Sequence, residues 1–288
     1  MRIAIMTDTN SGITVEEGKE LGVYVLPMPV IIGEKTYLEG KDINTKQLSE
    51  KMLDGVLTST SQPSPGSLLE MWDDILDEGY DYILHIPMTS GLSGSCDTAK
   101  GLAKGYEGKV IVVDNHRISV PQRESVLEAK RMVDAGYEAL EIANYLEETG
   151  LDCSIYITVS DLKYLQRSGR LGSTSAFLGS LLNIKPILTI QGEKIDAFVK
   201  CRGLKICQRK MIEAIENDIK ERFKEVAKEN LQVMVAGTLI DKEEIEEWTN
   251  MVKEAFPFSN VYYGGLPCSI LSHVGPGCMG IGIAIKKH

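Results

Sequence analysis

Residues 88–95 read Met-Thr-Ser-Gly-Leu-Ser-Gly-Ser, with four hydroxyl side chains and two glycines in eight positions. An apolar run, Tyr82–Pro87, precedes them and a helix-compatible stretch, Cys96–Tyr106, follows, which predicts a loop where a strand ends and a helix begins. Open α/β sheets bind ligands at such places, because glycines let the backbone approach and the first N–H groups of the helix face an anion. A second hydroxyl-rich stretch, Thr58–Ser64 (TSTSQPS), lies one helix earlier and is expected as a loop facing the first across the same crevice. Two such loops suggest one anionic head group. Either stretch alone is equally ordinary turn and N-cap chemistry.

Outward from this loop the chain alternates strand and helix. Arg2–Thr7 reads as a strand and Thr14–Leu21 as a helix with Glu16 and Glu17 in its first turn. Val23–Ile32 is extended, and Gly33 and Glu34 turn it into a short strand, Lys35–Leu38. Asn44–Asp54 has the spacing of a surface helix stopped by Gly55. Ser64-Pro65 is an N-cap followed by proline at the first helical position, leading into a helix over Leu68–Glu78. Lys109–Val113 has the continuous apolar character of a strand buried on both faces, and two amphipathic helices follow, Arg123–Ala135 and Glu138–Glu148. This pattern predicts an N-terminal α/β domain over 1–150, a mostly parallel sheet with flanking helices.

From Cys153 the texture changes. A strand over Ser154–Val159, an apolar helical run over Ala176–Leu182 and a hairpin of Ile187–Ile190 with Ala197–Lys200 are expected. A long charged helix, Leu204–Lys228, then precedes a strand, Leu231–Val235, and a helix, Glu243–Ala255. Two more strands, Val261–Tyr263 and Met279–Ile285, complete a C-terminal α/β domain over 151–288 whose sheet is mixed. The fold class is therefore α/β, in two domains.

A net charge of −10 over 288 residues argues against nucleic-acid or anionic-membrane partners, which call for clustered positive charge. No apolar run reaches the roughly 18 residues of a membrane span, and the chain opens directly on a strand, so a cytoplasmic protein without stable membrane insertion is expected. The six cysteines and four histidines show no metal-ligand spacing, so no metal or cofactor is expected and the thiols are expected to be free. Gly275–Gly280 (GPGCMG) fits the letters of a dinucleotide fingerprint, but the residues after it read as a strand and not a helix. His273, just before that turn, is expected on a loop. GLSGS at 91–95 resembles a nucleophile elbow with Ser93 at its centre, which would make Ser93 and His273 a serine acyl hydrolase or acyltransferase pair. Against that reading, no carboxylate that would orient His273 is identifiable, so no catalytic residue is assigned and a binding protein is favoured over an enzyme.

Taken together, TDTNS at 7–11, TSQPS at 60–64, SGLSGS at 90–95, LKYLQRSGRLG at 162–172, LLNIKPIL at 181–188, Arg202 and SHVGPG at 272–277 resemble the DegV family of bacterial fatty-acid-binding proteins. The resemblance runs in order along nearly the whole chain. It implies two α/β domains enclosing a long-chain fatty acid such as palmitate, its carboxylate at the domain junction and its chain in the C-terminal domain. Some members are the acyl-carrying subunit of bacterial fatty acid kinase, which implies an ATP-binding partner and a part in lipid transport or fatty acid metabolism. By the same resemblance Thr60 and Ser93 bind the carboxylate, with Ser61 and Gly94 beside them, His273 assists, and Arg202 contacts phosphate or the partner. The apolar residues Leu178, Leu181, Leu182, Ile184, Ile187 and Leu188 are candidates to wall the acyl chain, with ordinary core packing the favoured role for any single one. This chain departs from the family's pattern at Asp8-Thr9-Asn10-Ser11, at His116, Arg117 and Pro121, and at Leu204, where a second arginine is usual. The last departure weakens the link to a kinase partner more than the link to fatty acids.

Overall fold

The computed structural model describes residues 1–171, 184–192 and 194–286. Its first half is built on β1 (Ile3–Asp8), followed by α1 (Val15–Leu21) and β2 (Val23–Leu26). Thr14 caps α1 by accepting the Glu17 N–H. The extended run expected over Val23–Ile32 is two strands, because the chain leaves β2 at Pro27 and re-forms as β3 (Pro29–Ile32) in a different sheet. β3 pairs with β4 (Lys35–Leu38) and, beyond α2 (Thr45–Leu53), with β5 (Thr58–Thr60), in the order β4-β3-β5. The first three residues of the expected TSTSQPS loop are thus a strand, held by Val30 opposite Thr60 and Ile32 opposite Thr58.

After β5 come α3 (Pro65–Asp77), β6 (Tyr82–Ile86), α4 (Ser95–Ala103), β7 (Val110–Val112), α5 (Ser119–Asp134) and α6 (Ala139–Glu148). The parallel sheet has the order β2-β1-β6-β7. Alternation along β1 sends Ala4 and Met6 to one face, where Leu68, Trp72 and Ile75 of α3 pack. Ile3 and Ile5 go to the other, against Val126 and Ala129 of α5 and Ile142 and Leu146 of α6. β7 is an edge strand with only Val110 fully buried, a correction to the two-sided burial expected for it.

The second half holds β8 (Cys153–Thr158), α7 (Lys163–Arg167), the hairpin β9 (Ile184–Ile190) with β10 (Ile195–Arg202), and α8 (Leu204–Glu221). Then follow β11 (Leu231–Gly237), α9 (Lys242–Ala255), β12 (Tyr263–Gly265), α10 (Cys268–Val274) and β13 (Met279–Ile285). The sheet runs β10-β9-β8-β13-β11-β12, and only β11 and β12 are parallel. Tyr156, Val233, Val235 and Ile281 face the layer of α8 and α9. Ile155, Ile157 and Ile190 point the other way, toward Met28, Met88 and Val120 of the first half. α10 was not expected, α8 ends seven residues before Lys228, and β12 is two residues later than expected. The run Ala176–Leu182 lies outside the described residues.

Candidate functional site: an apolar cavity with a polar end

In the parallel sheet the chain passes from β1 outward to β2 and later returns to β1's other side as β6, so β1 and β6 flank the point where the strand order reverses. Ligands of open α/β sheets bind outside the carboxyl ends of such strands. The loops after β1, β6 and β7 meet there, and the second sheet closes over them. Asp8, at the end of β1, ties two of them together: its carboxylate accepts from Met88 N at 2.9 Å, Asn10 N at 3.0 Å and Gln122 Nε2 at 3.2 Å. Burial pushes the Asp8 carboxyl up against these lowering bonds. His116 in the third loop and Ser119 at the start of α5 hold left-handed backbone, at φ 55° and 59°.

Between the halves lies a cavity. Ile155, Ile157, Ile190, Ile195, Ile270 and Val274 form much of its wall, and Met28, Met88, Leu92 and Val120 face them from the first half. One end is polar. Thr60, Ser61, Gln62, Ser93, Gly94 and His273 all line the cavity, so the structure brings five of the six expected site residues together. Thr60 stands at the end of β5 and Ser93–Gly94 at the entry to α4. His273 sits in the last turn of α10 and not on a loop, with Nε2 2.8 Å from Thr60 Oγ1. Burial lowers its imidazole to about 4, with Arg170 adding to the effect, so the ring is neutral at physiological pH.

Arg202, the sixth expected residue, stands exposed at the end of β10 and lines no described cavity. Arg170 takes its place at the polar end. A smaller cleft on the far side of Thr60 and His273 is lined by Arg167 and Arg170 together with Tyr164, Ser168 and Ser272. Of the expected wall residues, Ile187 faces α8 and α9, and Leu188 is packed into the apolar core without lining the cavity. Leu178, Leu181, Leu182 and the side chain of Ile184 lie outside the described residues. The Ser93 hydroxyl accepts from Ser95 N at 3.2 Å, whereas Nε2 of His273 is engaged by Thr60. Nδ1 of His273 has no partner among the described residues, and no Ser–His–carboxylate relay is assembled among them.

A buried polar chain behind the cavity had no signature in the sequence. Ser269, one turn before His273 on α10, lies 2.8 Å through Oγ from Asn10 Oδ1 and 2.9 Å from Glu39 Oε1, and its N–H donates to Glu39 Oε2 at 2.7 Å. Thr9 also donates to Glu39 and accepts from Met28 N at 3.0 Å. Burial pushes the Glu39 carboxyl up to about 7, opposed by the Thr9 and Ser269 bonds and assisted by the charge of Asp8.

The chain matches the family model described as "Uncharacterised protein, DegV family" over residues 2–286. A DegV domain-containing protein of Listeria innocua is 30% identical over 290 residues, covering 99% of each chain. Among solved structures, a DegV family protein from Thermus thermophilus, described for its fatty acid binding, has a TM-score of 0.88 at 28% identity, covering 99% of this chain and 100% of its own. DegV of Bacillus subtilis, described as a fatty acid binding protein, has a TM-score of 0.87 at 28% identity with the same coverage. With the family model matched over nearly its whole length and a relative at 30% identity covered end to end, the chain belongs to the DegV family.

Proposed function

We propose that this protein binds a long-chain fatty acid such as palmitate, for lipid transport or fatty acid metabolism, and is not itself an enzyme. The observation that carries the reading is the apolar cavity ending in Thr60, Ser93, His273 and Arg170. A carboxylate leaving water must recover its acceptor bonds, and this end offers two hydroxyls, the N–H groups of the Ser93–Gly94 turn and a guanidinium. Neutral His273 donates through Nε2–H to Thr60 Oγ1, which leaves the Thr60 O–H free to point at the carboxylate. The acyl chain lies against Ile155, Ile157, Ile190 and Ile195 of the second half. The head-group loops thus belong to residues 1–150 and much of the tail pocket to 151–288. Burial contributes about 0.8 kcal/mol per methylene, so fourteen supply about 11 kcal/mol before the costs of association, and the tail dominates affinity.

The same reading includes presentation of the carboxylate to an ATP-binding kinase partner. Arg167 and Arg170, in the cleft behind Thr60 and His273, support it as places for a phosphoryl group. Two measurements test the reading. Native mass spectrometry of the protein as purified should find a fatty acid. Calorimetric titration of delipidated protein should give palmitate far tighter than octanoate, with Thr60→Ala combined with Ser93→Ala losing tenfold or more, about 1.4 kcal/mol. Equal affinity for the two acids, or an unaffected double variant, would overturn it.

A further inference from the structure

One stretch of the cavity wall is stiffer than the rest. Ile155 on β8 stands opposite Gly282 on β13 and Ile190 on β9, and Ile190 stands opposite Ile195 on β10, so the four positions form one row on one face of the sheet. The three isoleucines line the cavity. The fourth place is taken from above by Val120 of α5. A Cβ on Gly282 would stand 3.3 Å from Val120 Cγ2, and one on Gly264 of β12 would stand 2.7 Å from Val120 Cγ1. The two glycines thus leave a hollow that the valine's methyls fill, and Val120 itself lines the cavity.

Val120 is fixed from both sides. Just before it, Ser119 turns the chain into α5 through left-handed backbone, and just after it Gln122 donates to Thr7 Oγ1 and Asp8 Oδ1, both at 3.2 Å. A valine in a helix has essentially one side-chain rotamer, and the β-branched isoleucines of the row are similarly restricted. Met28 and Met88, elsewhere on the wall, are unbranched and re-pack readily. Gly282 lies four residues, about 13 Å of strand, beyond Cys278, where the chain enters β13 from the turn after His273. At about 1.2 Å per bond, an extended chain of eighteen carbons with its carboxylate at the polar end brings its middle to this row. A cis double bond there throws the chain sideways, against side chains that cannot give way. We infer that Val120, seated over Gly264 and Gly282, sets the preference for chain shape, so that the protein takes straight saturated acids over acids bent at mid-chain. The inference rests on the fatty-acid reading of the same cavity.

Delipidated protein is titrated calorimetrically with stearate and oleate, eighteen-carbon acids that differ in one cis double bond, in the natural sequence, in Val120→Ala and in Gly282→Ala. The natural sequence should bind stearate about tenfold more tightly than oleate. Val120→Ala joins the hollow to the cavity, and the ratio should fall to within about threefold. Gly282→Ala puts a methyl beneath Val120 and presses it toward the cavity, and the ratio should rise. Either variant decides the matter if the other does not fold. The inference is overturned if the natural sequence binds the two acids alike, or if the ratio is the same in the folded variants. Binding of neither acid would instead overturn the fatty-acid reading on which it depends.

Discussion

Replacing Glu39 by glutamine should alter how stability depends on pH, with a magnitude that follows from the carboxyl's burial. Glu39 is 2% exposed and its carboxyl stands at about 7 where 4.5 is ordinary. Because the folded-state value is raised, the stabilisation is complete below about 4.5, where both folded and unfolded chains hold the proton. It is lost as pH rises through 7, because the unfolded chain gives up that proton first. Between pH 5.5 and 7 the loss is about 1.4 kcal/mol per pH unit, close to 2 kcal/mol in all. Glutamine has no proton to lose, and it fits the site: its carbonyl can accept the Ser269 N–H, and its amide can donate to the Ser269 and Thr9 hydroxyls, which are free to turn. The stability gap between Glu39→Gln and the natural sequence should widen by about 2 kcal/mol from pH 5.5 to 8.5, in favour of the variant. His85 and His273, lowered to about 3 and about 4, titrate in both proteins and cancel in the difference. Urea unfolding followed by circular dichroism at both pH values measures the gap. A gap constant to within about 0.5 kcal/mol, or one that narrows with pH, would refute the assignment of a buried acid at Glu39.

Loss of the imidazole in His273→Ala should weaken palmitate binding about tenfold, and His273→Gln, which keeps a donor for Thr60, should weaken it less. Since His273 titrates near 4, the size of that effect should not change between pH 6 and 8, and calorimetry at the two pH values checks both points. Arg117 is buried and donates to Gly150 O at 3.0 Å, Thr149 O at 2.6 Å and Ser125 Oγ at 3.0 Å, pinning the crossing between the two sheets. Arg117→Met should therefore lose about 2–4 kcal/mol in urea unfolding, and a loss below about 0.5 kcal/mol would show that the crossing is held by other contacts.

The parallel half was readable because its signals are local. β1 and β6 are short apolar runs, and Ser64 with Pro65 announces α3. α10 escaped because seven residues, CSILSHV, are too few to display a period, and six of the seven are buried. Only its brackets, Pro267 before and Gly275 after, marked it. Thr58–Thr60 reads as a loop because hydroxyls favour turns, and it is a strand because β3 offers it a ladder. Thr60 and His273 were each noticeable for their chemistry, but their contact is a product of tertiary structure. Asn10 and Ser269 are 259 positions apart, and no spacing rule joins them. Arg202 and Arg170 illustrate the same limit, since two arginines in loop-adjacent sequence look alike until one is found at the cavity and the other on an exposed strand end.

The packing of α10 against the small sheet has a consequence for the newly synthesised chain. Leu271 and Cys268 complete the cluster formed by Val30, Ile43, Leu48 and Met52, and His273 completes the polar end at Thr60 across 213 intervening positions. At translation rates of about 5–20 residues per second, Thr60 is made some 10–40 s before its partner. During that interval the emerging N-terminal half carries an uncovered apolar surface next to an unfinished pocket. Until α10 arrives the cavity lacks Ser269, Ile270, His273 and Val274 from its lining, which makes its completion a late event in synthesis.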